Sequence, residues 1–167
     1  MVLDVLAKRL GATFKSSKSN ALVAETKLGV GFDAPKLVLA KPMSFMNLSG
    51  GPVSSLMKFY DINADHLIVL HDELDIDAHL VRIKFAGGHA GHNGLRDIIS
   101  AIGPEFIRVR IGIGRPPGSM EVADFVLKDF SSTEKKELPV TLEIAADAVE
   151  SIAKDGLTAA QQKFHSN

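Results

Sequence analysis

The chain has 167 residues, 46% of them hydrophobic, a net charge of −1 and no cysteine. That is enough chain for one packed core, and it excludes disulfide and thiolate chemistry. No apolar run approaches the ~20 residues that cross a bilayer, and the first ten residues, interrupted by Asp4, do not form a signal peptide, so the expectation is a cytoplasmic protein.

Val2, Leu3, Leu6 and Leu10 recur at helical spacing ahead of Gly11 and predict an amphipathic helix over 1–10. Residues 21–28 and 36–40 read as two strands joined through Gly29, Gly31 and Pro35. The stretch 41–51, which contains Met46 and Asn47, mixes apolar and amide side chains without periodicity and reads as a loop. Pro52 then suits the first turn of a helix carrying Val53, Leu56, Met57 and Tyr60 on one face. Residues 66–70 are a continuous apolar run, the pattern of a strand in the buried centre of a parallel sheet. The run leads into His71-Asp72-Glu73. Ligands in open α/β sheets bind beyond strand carboxyl ends, so Asp72 is a site candidate by position.

Residues 80–85 and 107–113 alternate, with Arg82 and Lys84 in the first and Arg108 and Arg110 in the second opposite the apolar face. Both strands are expected to present a basic outer face. Between them, Gly87-Gly88-His89-Ala90-Gly91-His92-Asn93-Gly94-Leu95 runs into a helical pattern of Leu95, Ile98, Ile99 and Ile102, stopped by Gly103-Pro104. Asn93 is the expected N-cap. Backbone N–H groups at such a start favour an anion or a developing oxyanion, although the same residues also suit a tight turn whose asparagine only caps a helix. Farther on, Ser131 and Glu134 form a capping box, and Leu138, Leu142, Ala145, Val149 and Ile152 continue the helix to Gly156. The last eleven residues read as a short tail, helical at best. Alternating strands and helices predict a single-domain α/β fold: a three-layer α/β/α sandwich around a mixed, mostly parallel twisted sheet.

Charge is unevenly distributed. Residues 79–119 hold six bases against two acids, and residues 120–155 nine acids against four bases, an asymmetry that suits a polyanion on one side. The sequence contains neither a Gly-x-x-x-x-Gly-Lys nucleotide loop nor a Gly-x-Ser-x-Gly elbow. His71, Asp72, His89 and His92 could be imagined around a metal, but the His89/His92 pair lies in a glycine loop instead of on one helical face. The polar set left is Asn47, His92 and Asn93 with the carboxylate of Asp72. Carbonyl chemistry by an activated water needs a base, a group to orient it and donors for an oxyanion. Asp72 can orient, the asparagines can donate, and His92 could in principle be the base.

Four segments, Lys41-Pro-Met-Ser-Phe-Met-Asn-Leu-Ser-Gly50, His71-Asp-Glu-Leu-Asp75, Gly87 to Leu95 and Arg108-Val-Arg-Ile-Gly-Ile-Gly114, resemble in order and spacing the motifs of bacterial peptidyl-tRNA hydrolase, over the whole of residues 1–167. The resemblance implies a monomeric α/β enzyme, without cofactor or metal, that cleaves the ester between peptide and tRNA. By position, Met46 would line the peptide cleft, Asn47 would hold the substrate and its water, and Asp72 would pair with a catalytic histidine. His92 and Asn93 would fix the ester, and Arg82, Lys84 and Arg110 would meet tRNA phosphates. The family pattern begins with a hydrophobic strand, a Gly-x-Gly-Asn-Pro-Gly loop and a general-base histidine, for which these residues hold no counterpart. Met1 is therefore expected to be an internal methionine. Turnover by the chain as given is expected to be weak or absent, since losing a general base costs ~10²–10⁴-fold. Two other readings stay open, a non-catalytic tRNA-binding relative and a metal-dependent hydrolase.

Overall fold

The computed structural model describes residues 1–165. Six helices and two three-stranded sheets follow one another along the chain and define an α/β protein. Helix α1 (Val2–Arg9) buries Leu6 and Ala7, as its spacing predicts. Strands β1 (Lys15–Ser16), β2 (Ala21–Lys27) and β3 (Lys36–Pro42) form an antiparallel sheet in that order, with Val23 opposite Ala40 and Lys27 opposite Lys36. Two-residue β1 leaves too short a signal to be read from sequence. After a 3₁₀ turn at Met46–Leu48 comes α2 (Gly50–Tyr60), which starts two residues before Pro52 and keeps the proline in its first turn.

The second sheet has the order β4-β6-β5, built from β4 (Ile68–Glu73), β5 (Val81–Phe85) and β6 (Ile107–Gly112). Two bonds show that β4 and β6 run parallel: Ile107 N–H donates to Leu67 O (3.0 Å) and Ile113 N–H to Glu73 O (3.0 Å). The bonds from Ala86 N–H to Phe106 O (3.0 Å) and from Gly112 N–H to Leu80 O (2.8 Å) make β5 and β6 antiparallel. The mixed α/β class stands, but the expectation of a mostly parallel sheet gives way to a single parallel pair among the described residues. Strand β4, read as central from its apolar run, ends the strand order, and β6 takes the middle. A continuous apolar run reports burial on both faces and carries no information about how many neighbours hydrogen-bond to the strand. Helices α3 (Asn93–Ile102), α4 (Val122–Leu127), α5 (Ser132–Asp155) and α6 (Leu157–His165) complete the chain.

Two compact units are distinguishable, one made mainly of residues 3–69 and 85–108, the other of residues 70–84 and 109 onward. In the first, Ala21, Val23 and Leu56 form one apolar cluster, joined by Val38, Ala40 and Tyr60. Leu95, Ile98 and Phe106 form another against Val53, Leu67 and Val69. Phe106 is completely buried, a side chain whose removal from water contributes about 1.5–3 kcal/mol. The second unit buries Val81, Ile83 and Val109 together with Ala145, Ala146, Ala148 and Val149 of α5 and Ala160 of α6. Alanines at these helix positions leave room for close backbone approach. Among the described residues no helix is long and apolar enough to cross a membrane.

Candidate active site

The first unit sets the 3₁₀ turn Met46–Leu48 against the start of α3. Gly94 is what lets them meet, since a Cβ there would lie 2.6 Å from Met46 Sδ and 3.0 Å from His92 Cε1. The turn is closed by Ser49 Oγ, which donates to Met46 O at 2.7 Å, and by Leu48 N–H, which donates to Phe45 O at 2.8 Å. Just beyond it, Gly50 N–H at the start of α2 donates to Asp97 Oδ2 of α3 at 2.7 Å. A carboxylate at a helix N-terminus is favoured by the macrodipole, and here it also ties α2 to α3. Met46, Asn47 and Asn93 are all exposed around this junction.

The expected cap is displaced by one residue. His92, not Asn93, occupies the N-cap of α3, with its Nδ1 accepting from Leu95 N–H at 3.1 Å. A backbone N–H can only donate, so Nδ1 is unprotonated and the neutral ring carries its proton on Nε2. Its Nδ1 lone pair is thereby engaged at the cap. Asn93 becomes the first helical residue with its amide turned outward and unused by capping. Sequence reasoning chose Asn93 because asparagine is a strong cap and histidine is not. A Gly-rich approach to the helix tolerates either, and the loop conformation decides.

In the second unit, Asp72 lies inside β4 instead of beyond its end, because the strand extends to Glu73. Its neighbour His71 is buried and donates from Nδ1 to Asp72 O at 2.7 Å. His89, in the first unit, accepts from Gly91 N–H on Nδ1 at 3.1 Å. No group of three His, Asp or Glu side chains placed to hold a metal occurs among the described residues, so the set His71, Asp72, His89 and His92 is not assembled.

The basic strands depart furthest from expectation. Arg108 is buried at 3% exposure, its guanidinium donating to the carbonyls of Gly87 and Gly88 and resting over the Phe106 ring, 4.7 Å from its centroid. Alternation places Arg108 opposite Val109 but does not say that the opposite face is solvent. Arg82 is half-buried and donates from Nη1 to Val81 O (3.1 Å) and Phe164 O (3.3 Å), capping the end of α6. His165 accepts from Ile83 N–H on Nε2 at 3.0 Å. Burial of the ring, and after it the charges of Arg82 and Arg110, hold the His165 imidazole below its ordinary 6.5. Arg110 is half-buried, and Lys84 is exposed.

The α/β chain thus carries a His92 cap at the start of α3 and exposed amides at Asn47 and Asn93. Comparison narrows the class. The family model described as peptidyl-tRNA hydrolase matches residues 1–167. The peptidyl-tRNA hydrolase of Renibacterium salmoninarum is 60% identical over 167 residues, covering 99% of this chain and 85% of that relative. That of Arthrobacter sp. strain FB24 is 58% identical, covering 99% of this chain and 84% of that relative. The crystal structure of the Acinetobacter baumannii peptidyl-tRNA hydrolase superposes with a TM-score of 0.87 at 34% identity, over 98% of this chain and 82% of that one. This chain belongs to the peptidyl-tRNA hydrolase family.

Proposed function

We propose that this chain hydrolyses the ester joining a peptide to the terminal ribose of tRNA, with water as nucleophile, returning free tRNA to translation. The observation that carries the reading is the junction of the Met46–Leu48 turn with the start of α3, where the Met46 thioether and the His92 imidazole meet at Gly94, each next in sequence to an exposed asparagine, Asn47 and Asn93. As water adds to the ester carbonyl, the carbonyl oxygen gains negative charge. Asn93 and the N–H groups of the helix start are suited to receive that charge, and neutral donors stabilise it without first having to lose a counterion. His92 fixes the substrate ester in place beside it. Asn47 holds the substrate and its water, while exposed Met46, with Phe45 and Met43 beside it, offers apolar surface to the peptide.

The proton released by water must go to a base. His92 is a poor candidate because its Nδ1 already accepts from Leu95. The family resemblance assigns that task to a histidine that Asp72 would orient. Lys84 and Arg110, with Arg82 beside them, meet tRNA phosphates. The whole of residues 1–167 is read as one hydrolase domain, acting as a cytoplasmic monomer without cofactor.

The test is release of an N-blocked amino acid from its tRNA ester, with and without chelator, alongside tRNA binding. Turnover that ignores the chelator supports the proposal. Binding with no turnover replaces it with a non-catalytic tRNA-binding role. Turnover abolished by chelator replaces it with metal-dependent hydrolysis.

A further inference from the structure

The backbone from Ala86 to Gly91 is unusual. Ala86 (φ 56°), Gly87 (113°), Ala90 (46°) and Gly91 (83°) all lie at positive φ, and two of the four carry a Cβ that disfavours this region. Such a segment persists only where its surroundings over-determine it. One end is tied by Ala86 N–H, which donates to Phe106 O at 3.0 Å, and the other by His92 N–H, which donates to His89 O at 2.8 Å. Between these ties, Arg108 Nη2 donates to Gly87 O and Nη1 to Gly88 O. Arg108 is itself immobilised, 3% exposed over the buried Phe106 ring. A planar fork that addresses two consecutive carbonyls sets both their position and their orientation, which a single point donor cannot do.

We propose that Arg108 is a positioning residue for the candidate active site. By holding the Gly87 and Gly88 carbonyls, it fixes the strained loop in the one form that delivers His92 to the cap of α3, and so sets the positions of the His92 ring and of Asn93 at the helix start. The consequence for ester hydrolysis rests on the function proposed above; the ordering of the loop does not. Within this loop the forked guanidinium is the link between β6 and the helix start. Its removal leaves two alanines at positive φ free to relax, and the cap moves with them.

Arg108→Met and Arg108→Lys test this by hydrogen exchange and kinetics. Leu95 N–H, the proton donated to His92, is expected to exchange at least about fivefold faster in both variants, while Ile98 N–H, deeper in α3, keeps its rate. Turnover on the N-blocked aminoacyl-tRNA ester is expected to fall about 10²-fold in kcat with KM within about threefold, because misplaced groups lose transition-state contacts before they lose binding. Lysine, which keeps the charge without the fork, is expected to recover thermal stability but neither exchange protection nor kcat. Parent-like Leu95 exchange or parent-like kcat in Arg108→Met overturns the inference. Should that variant fail to fold, nitrogen-15 spectra of the parent decide. Resolved, slowly exchanging Nη protons on Arg108 support the fork, and a freely rotating, averaged guanidinium refutes it. A parent with no turnover would refute the hydrolase reading instead, and Leu95 exchange would still judge the role of Arg108.

Discussion

Whether residue 92 or residue 93 caps α3 determines what each side chain has left to offer a substrate. With His92 at the cap, the Asn93 amide is exposed and supports no part of the fold. Asn93→Ala is therefore expected to lower kcat by about 10²–10³-fold, the usual cost of one oxyanion donor, with the melting temperature unchanged. Gly94→Ala should separate stability from activity in the opposite sense. Its Cβ would sit 2.6 Å from Met46 Sδ, the end of a flexible side chain that can swing away, and 3.0 Å from the His92 ring. Alanine improves helix propensity by up to about 1 kcal/mol, so the variant is expected to melt no lower than the parent. Its kcat/KM is expected to drop by about tenfold or more because Met46 and His92 are pushed apart. At Gly50, by contrast, a Cβ would meet the Asp97 backbone carbonyl at 2.4 Å, and no side-chain motion relieves that.

Among the elements, α5 and α6 show how end groups govern stability. Ser131 Oγ accepts from Glu134 N–H at 3.2 Å, and Glu134 Oε2 accepts from Ser131 N–H at 2.6 Å, the capping box expected from the sequence. Ser131→Ala should cost about 1 kcal/mol and lower Tm by about 2–4 °C, measurable by calorimetry. Helix α6 manages the sheet edge. Strand β5 ends the strand order, and its Ile83 N–H and C=O are taken by His165 Nε2 (3.0 Å) and by Gln161 Nε2 (3.3 Å). Side chains here stand in for a missing strand, which protects an edge that would otherwise be open to pairing. His165 accepts only when neutral, and its folded-state pKa lies below 6.5. Its contribution to stability is therefore complete above that value and declines as pH falls below it, because the unfolded chain takes up the proton first. Melting curves between about pH 7.5 and about pH 5 should show this slope, and His165→Gln, which retains an acceptor oxygen, should flatten it.

Across the whole chain, the six bases between residues 79 and 119 do not form a uniform cationic surface. Arg108 is buried, Arg82 caps Phe164, and Arg115 donates from Nε to Asp75 Oδ1 at 2.8 Å. Exposed Lys84 and half-buried Arg110 remain the better-placed phosphate contacts of those proposed. Lys84→Ala is expected to weaken tRNA binding without changing the fold and to reduce the slope of log affinity against log salt by about one. Arg82→Ala should chiefly lower Tm, since it removes a helix cap and only secondarily a cation.

Local chemistry was sufficient for much of this. Apolar spacing placed α1, α2, α3 and α5, Ser131 and Glu134 announced their cap, and four short motifs in register identified the family. These signals depend on neighbours within a turn or two of chain, and a sequence records such neighbours directly. Strand order, the single parallel pair, the exchange of cap between Asn93 and His92 and the burial of Arg108 all depend on what lies across from a residue. Alternation tells which side chains share a face of a strand, but only the folded chain decides whether that face meets water or the carbonyls of Gly87 and Gly88.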